Sequence, residues 1–103
     1  MTAHPSQTTQ LYLLCTEIRL RVRRRFHGPA HKELRCAFGE GLPAAPHKPA
    51  AVKRLAEQIL SGAAAHNNVL GLVRVHAPTL KRMVRLLCGV SVCQRAARRP
   101  EVA

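Results

Sequence analysis

The chain has 103 residues and a mass of 11.3 kDa, which limits it to one small domain with a single core. Its 17 Lys and Arg residues oppose five acidic residues, all of them Glu, and the net charge of +12 with neutral His favours an acidic partner. Five scattered carboxylates offer few candidates for a catalytic pair of acidic residues. The glycine patterns of Walker and Rossmann nucleotide-binding sites are also absent, so the sequence indicates a protein that is not an enzyme.

A first helix is predicted over the stretch LYLLCTEIRLRVRRRF, residues 11–26. Its apolar residues recur three and four positions apart, which is the spacing of a helix that packs one face on a core. This stripe consists of Leu11, Leu14, Cys15, Ile18, Val22 and Phe26. We expect Thr8 or Thr9 to cap the beginning of the helix, and Gly28 followed by Pro29 to end it.

The opposite side of this helix combines two leucines with strong positive charge. Leu13 and Leu20 lie seven residues apart there, so this second apolar strip needs a contact of its own. The basic residues of the stretch are Arg19, Arg21, Arg23, Arg24 and Arg25, and its one acid is Glu17. An Arg-rich, acid-poor segment near the N-terminus that also carries Ser and Thr is typical of mitochondrial targeting. The same residues fit an ordinary basic surface helix equally well.

A short second helix is predicted from Pro29 through AHKELRCAF, because proline suits the first position of a helix. Leu34 and Phe38, four residues apart, share its apolar face, and Gly39 or Gly41 ends it. The following LPAAPHKP segment contains three prolines, so we expect an extended linker there.

A long third helix is predicted from Pro49 as far as His76, with a bend near Asn67 and Asn68. Its apolar stripe contains Val52, Leu55, Ala56, Ile59, Ala63, His66, Leu70 and Val73. The small-residue run SGAAA either allows close packing of another helix or leaves room for another molecule.

A fourth helix is predicted from Pro78, which breaks the third one. Its inward residues are Leu80, Met83, Val84, Leu87 and Val90, and its outward residues are Lys81, Arg82 and Arg85. The sequence therefore predicts an all-α fold, a small three- to four-helix bundle with a basic surface. The domain is expected over residues 10–97, between a flexible N-terminus at 1–9 and a flexible tail at 98–103.

Neither a metal site nor a disulfide is expected. The four cysteines, which are Cys15, Cys36, Cys88 and Cys93, form no CxxC pair, and the last two point apart if they share a helix. Gly28 and Pro29 keep His27 and His31 off one helical face, so these two and Cys36 are not expected to bind a metal together. We expect free thiols in a reducing compartment.

No secretory signal or membrane span is expected. The first ten residues, MTAHPSQTTQ, are polar, unlike a secretory signal. The longest uncharged run, residues 58–73, is interrupted by His66, Asn67 and Asn68 and is shorter than the ~20 apolar residues that a spanning helix needs.

Nucleic acid is the other partner that the charge allows. The run RLRVRRRF, residues 19–26, can lie along phosphates, and the basic fourth helix can add a second contact. The aromatic residues Tyr12, Phe26 and Phe38 all fit the apolar pattern, so no base-stacking platform is visible. A basic RNA-binding or ribosomal protein therefore remains the alternative.

The order of several short motifs resembles the LYR-motif proteins of mitochondria over residues 10–73. The motifs are Leu11-Tyr12 at the start of a basic helix, Phe26, the short ELRCAF helix ending in Phe38, and the long VKRLAEQILSG helix. The resemblance implies an accessory subunit or assembly factor of a respiratory complex, ATP synthase, iron–sulfur biogenesis or the mitochondrial ribosome. It also implies a location in the matrix or on the matrix side of the inner membrane. Leu13 stands where the family motif has Arg.

The same resemblance implies an acidic partner, the mitochondrial acyl carrier protein, within a larger complex. The partner-binding residues would be Leu11, Tyr12, Leu13, Arg19, Leu20, Arg23, Arg24 and Arg25. The chain would hold no cofactor of its own, but the partner's 4'-phosphopantetheine-linked acyl chain would enter between the helices. The acyl-chain pocket would be lined by Leu11, Leu14, Ile18, Phe38, Leu55, Ile59 and Ala63. The alternative is that these apolar residues pack on one another and close the gap.

Overall fold

The computed structural model describes residues 6–40 and 48–98, and over these ranges the fold is all-α, as predicted, with no strand. Its five helices are α1 (Gln7–Arg25), α2 (Lys32–Ala37), α3 (Pro49–Ala65), α4 (Val69–Leu72) and α5 (Ala77–Arg98). A 3-10 turn over Pro29–His31 leads into α2. The predicted linker, the first residues of the predicted N-terminal segment and most of the predicted tail lie outside the described residues.

Helix α1 begins at Gln7 and ends at Arg25. The hydroxyl of Ser6 accepts a hydrogen bond from the backbone N–H of Thr9 at 3.1 Å, so the N-cap is Ser6 and the prediction of Thr8 or Thr9 is wrong. Three hydroxyl residues stand close together here, and the sequence pattern does not distinguish among them. Gly28 follows the helix with a φ of +101°, a conformation that glycine adopts without strain.

The core forms around one face of α1, which packs against α2, α3, α4 and α5. The predicted stripe of α1 is confirmed, since Leu11, Cys15, Ile18 and Val22 are buried, and Leu14 and Phe26 pack at its edge. Among the residues whose burial the structure describes, the other buried apolar ones are Phe38, Val52, Leu55, Ala56, Ile59, Val69, Leu70, Val73, Met83 and Val90. All of these are aliphatic or sulfur-containing apart from Phe38. The core is therefore stabilised by many weak van der Waals contacts between aliphatic side chains.

The predicted long third helix is interrupted. Helix α3 ends at Ala65, and Asn67 and Asn68 take left-handed backbone conformations with φ of 53° and 63° before α4 begins. Asparagine tolerates this conformation better than most residues, so the pair makes a full break where the sequence predicted only a bend. The single turn of α4 can then place Val69 and Leu70 in the core.

The predicted inward face of the fourth helix is partly wrong. Met83 and Val90 on α5 are buried, as predicted, but Val84 is 45% exposed. The face of α5 that contacts the core is therefore narrower than the stripe of apolar residues in its sequence. The predicted outward residues are exposed; these are Lys81, Arg82 and Arg85.

The side chain of Arg35 joins the end of α1 to α2. Its Nε donates to Glu40 at 2.8 Å, and its Nη1 donates to the backbone carbonyls of Phe26 at 3.1 Å and Gly28 at 2.7 Å. The Arg35 side chain is only 15% exposed, and its bonds to Glu40 and to the Phe26 carbonyl are partly shielded from water. These bonds hold the segment after α1 against α2 and so help to fix the position of the basic end of α1 relative to α2.

Helix α2 rests directly on α3 at Gly62. A Cβ at this position would lie 2.8 Å from the carbonyl oxygen of Ala37, which is closer than real side chains approach. Of the two uses considered for the small-residue run, close helix packing is therefore the one found at Gly62.

We expect Gly62→Ala to lower the free energy of unfolding by about 1–3 kcal/mol, because the added methyl group must displace backbone. Gly71→Ala is the matched control. Its Cβ would meet nothing within 4 Å, so it should be neutral or stabilising by up to about 1 kcal/mol. Urea unfolding followed by far-UV circular dichroism measures both. Equal stability of the two variants would contradict the close approach of α2 to α3.

Candidate partner-docking surface

The face of α1 that points away from the core carries two exposed leucines. Leu13 is 56% exposed and Leu20 is 44% exposed, and we call this pair the leucine strip. An open groove of about 360 Å³ runs along it. Its lining residues are Leu13, Thr16, Glu17, Leu20, Arg21 and Arg24. The groove combines an apolar floor with guanidinium groups at its edge, which suits an amphipathic acidic segment of another protein.

The C-terminal turn of α1 is strongly basic. Arg23, Arg24 and Arg25 are exposed, and no hydrogen bond or ion pair links their side chains to another residue in the described ranges. Positive charge at a helix C-terminus interacts favourably with the helix dipole, so the helix tolerates this cluster. Arg21 is different, since its Nη2 donates to Glu17 at 2.6 Å. Most of the positive charge on this turn therefore remains free for a partner.

The structure divides the predicted partner-binding residues into an outer and an inner group. Leu13, Leu20 and the three arginines of the last turn lie on the surface, and Arg19 and Tyr12 are half-buried. Leu11 is fully buried in the core, so it is not accessible to a partner on this surface. Tyr12 packs against the same core.

The predicted acyl-chain residues come together, but they fill the space between the helices. Ile18, Phe38, Leu55 and Ile59 are buried, and Leu14 and Ala63 pack against the same cluster. A cavity of only about 60 Å³ remains beside Phe38. An acyl chain between α1, α2 and α3 would have to displace these side chains, and such a chain remains a prediction.

A second cleft, which the sequence did not predict, lies beside the basic end of α1. It has a volume of about 460 Å³. Its lining residues are Arg21, Arg24, Arg25, Leu72, Val73 and Arg74, and we call it the arginine cleft. Periodicity along one helix cannot reveal it, because α1 and the α4–α5 connection meet there only after folding.

Metal-binding and membrane-spanning features are not found in the part of the chain that the structure describes. No group of three or more His, Cys, Asp or Glu residues there is placed to hold a metal ion. The ring of His31 instead meets that of Phe26 edge to face, with centroids 5.4 Å apart. None of the described helices combines the length and the apolar character needed to cross a membrane.

Cys15 is the least reactive of the described thiols. Burial raises its pKa to about 12 from the ordinary 9.0, and this outweighs the opposing effect of the nearby Arg19 charge. Cys36 and Cys88 are exposed and free. A thiol that stays protonated packs as a small apolar group, which is the role Cys15 has in the α1 stripe.

Comparison with protein families, curated proteins and solved structures found no match for this chain. Its function must therefore be inferred from its own residues and surface.

We expect alkylation of the folded protein near neutral pH to modify Cys36 and Cys88 and to spare Cys15, which should react only after unfolding. Peptide mapping by mass spectrometry gives the extent at each site. Alkylation of Cys15 as fast as Cys36 in the folded protein would contradict this burial.

The folded state holds the Cys15 proton more tightly than the unfolded chain does. The contribution of this thiol to the free energy of unfolding should therefore be complete below pH 9 and be lost as the pH rises towards 12.

Proposed function

We propose that this chain is a non-enzymatic accessory subunit or assembly factor of a mitochondrial complex, and that it docks an acidic protein on the outer face of α1. The observation that carries the proposal is the leucine strip, in which Leu13 and Leu20 stay exposed in one groove with the unpaired Arg24. Two large apolar side chains on one helix face lose contact with water when a partner covers them, and this stabilises the complex.

The charge of the chain favours an acidic partner. A net charge of +12 on 103 residues steers acidic proteins towards the surface, and the guanidiniums of Arg23, Arg24 and Arg25 can form charge-assisted bonds to carboxylates. Leucines at the centre with arginines at the edge follow the arrangement of many protein interfaces. An acidic amphipathic helix that lies along α1 would satisfy both groups.

The mitochondrial part of the proposal rests on the LYR-like order of motifs, and it suggests the acyl carrier protein as the acidic partner. Leu13, which replaces the motif arginine, would then act as an apolar contact, while the arginines of the last turn supply the charge. The partner's acyl chain would enter only if α1, α2 and α3 separate, because Ile18, Phe38 and Ile59 close the core between them.

We expect Leu13→Ser combined with Leu20→Ser to weaken binding of purified mitochondrial acyl carrier protein about 10- to 100-fold, since the contact loses two partly exposed leucines. Isothermal titration calorimetry at fixed salt measures the affinity. Val84→Ser on α5 is the matched control, because it removes a similarly exposed apolar side chain elsewhere and should leave binding unchanged. Circular dichroism checks that all variants keep their helix content.

Several outcomes would oppose the docking proposal. Equal binding by the leucine variant and the Val84 control would place the interface elsewhere. Replacement of Arg23, Arg24 and Arg25 together by Ala should also loosen the complex, and an unaltered complex in moderate salt would argue against charge-assisted docking. Binding of RNA that weakens steeply with salt, without binding of acyl carrier protein, would favour the RNA-binding alternative.

We expect cell fractionation to place the native protein in mitochondria, on the matrix side. Intact mass spectrometry of the complex purified from that fraction should show a small acidic companion that carries a phosphopantetheine-acyl mass. A protein found mainly in cytosol or nucleus, with no mitochondrial pool, would exclude the mitochondrial role but leave acidic docking on α1 open to the binding test.

A further inference from the structure

The arginine cleft brings four guanidinium-bearing residues to one opening. Arg21, Arg24 and Arg25 come from the last two turns of α1, and Arg74 comes from the connection between α4 and α5. Among the residues that the structure describes, no acidic side chain lines the cleft. Like charges that line one opening repel one another, so an anion that enters it would relieve this repulsion.

Three of these guanidiniums are unpaired. The side chains of Arg24, Arg25 and Arg74 make no hydrogen bond or ion pair to any residue within 6–40 and 48–98. The fourth, Arg21, is held in place, because it donates to Glu17 at 2.6 Å and to the backbone carbonyl of Arg74 at 3.1 Å. One guanidinium is thus held in place and three are available, so part of the arrangement that an anion would need is already fixed.

The backbone at Arg74 is an independent feature of the same cleft. Its φ of +58° is left-handed, a conformation that glycine or asparagine adopts at lower cost than arginine. Backbone of this kind is concentrated at functional sites. Arginine at this position lowers the stability of the fold relative to glycine and adds a third unpaired guanidinium to the cleft.

We propose that the arginine cleft binds a phosphate-bearing anion of at least two negative charges. Guanidinium groups match phosphate oxygens in paired hydrogen bonds, and several guanidiniums together suit a multiply charged group better than a single carboxylate. Leu72 and Val73 also line the cleft, and the remainder of an organic phosphate can pack against the exposed side chain of Leu72. This inference does not depend on docking of an acidic protein at the leucine strip.

The test is titration of the full chain with inorganic pyrophosphate by calorimetry, with sodium chloride used to hold the ionic strength constant. We expect Arg74→Gln to weaken binding about 10-fold or more through loss of a charge-assisted contact. Arg54→Gln is the matched control, since Arg54 is exposed on α3, does not line the cleft and loses the same charge. Its affinity should change by less than about 3-fold.

A second variant separates binding from folding. Arg74→Gly relieves the left-handed backbone, so it should raise the melting temperature while it weakens pyrophosphate binding as much as Arg74→Gln does. Equal losses in the Arg74 and Arg54 variants would reduce the effect to net charge and overturn the proposal. Absence of pyrophosphate binding by the unmodified chain, together with absence of vesicle binding, would also overturn it.

Vesicles distinguish a lipid headgroup from a soluble phosphate as the source of the anion. The chain is mixed with phosphatidylcholine vesicles, with or without phosphatidic acid, and bound protein is measured by sedimentation. Binding that requires phosphatidic acid, is lost in Arg74→Gln and is displaced by pyrophosphate would identify a lipid headgroup as the ligand. Pyrophosphate binding that depends on Arg74, with no vesicle binding, would identify a soluble phosphate.

Discussion

The buried stripe of α1 is the constraint on which the rest of the structure depends. In the part of the chain that the structure describes, α1 contacts each of the other four α-helices, and its buried residues are Leu11, Cys15, Ile18 and Val22. A chain of 103 residues has enough apolar surface for one such core, so the opposite face of α1 stays in contact with solvent. The same helix therefore organises the interior and presents the leucine strip outside.

The second constraint is the shortage of acids. The chain has only five Glu residues, and the two arginines that form ion pairs in the described residues also take backbone carbonyls as acceptors. Arg35 binds the carbonyls of Phe26 and Gly28 as well as Glu40, and Arg21 binds that of Arg74 as well as Glu17. The ion pairs with Glu40 and Glu17 offset the charge of these two arginines, and the carbonyl bonds help to fix their positions. The positive charge near the end of α1 therefore comes from Arg23, Arg24 and Arg25, which supports proposals of an acidic partner and a phosphate-bearing ligand there.

Features set by local periodicity could be predicted from the sequence, and features set by tertiary packing could not. The α1 stripe and the exposed outer leucines follow from helical spacing within one segment. The exposure of Val84 depends on where neighbouring helices pack, and the full break at Asn67 depends on backbone conformation, neither of which periodicity specifies. The arginine cleft joins residues about 50 positions apart, so no motif in the sequence marks it. The acyl-chain residues were predicted to be near one another, and they are, but only the structure reveals how tightly they fill their space.

The contacts of Arg35 also bear on the order in which the chain folds during synthesis. They join residues that are only five to nine positions apart, so they close short loops and cost little chain entropy. The hydrogen bond from Arg82 to Gln10 spans 72 positions and can form only after α5 has left the ribosome. The corner between α1 and α2 can therefore take shape first, while the side of α1 that α5 will cover is still open. A newly made chain would therefore expose the apolar surface of α1 that α5 covers until α5 has been synthesised.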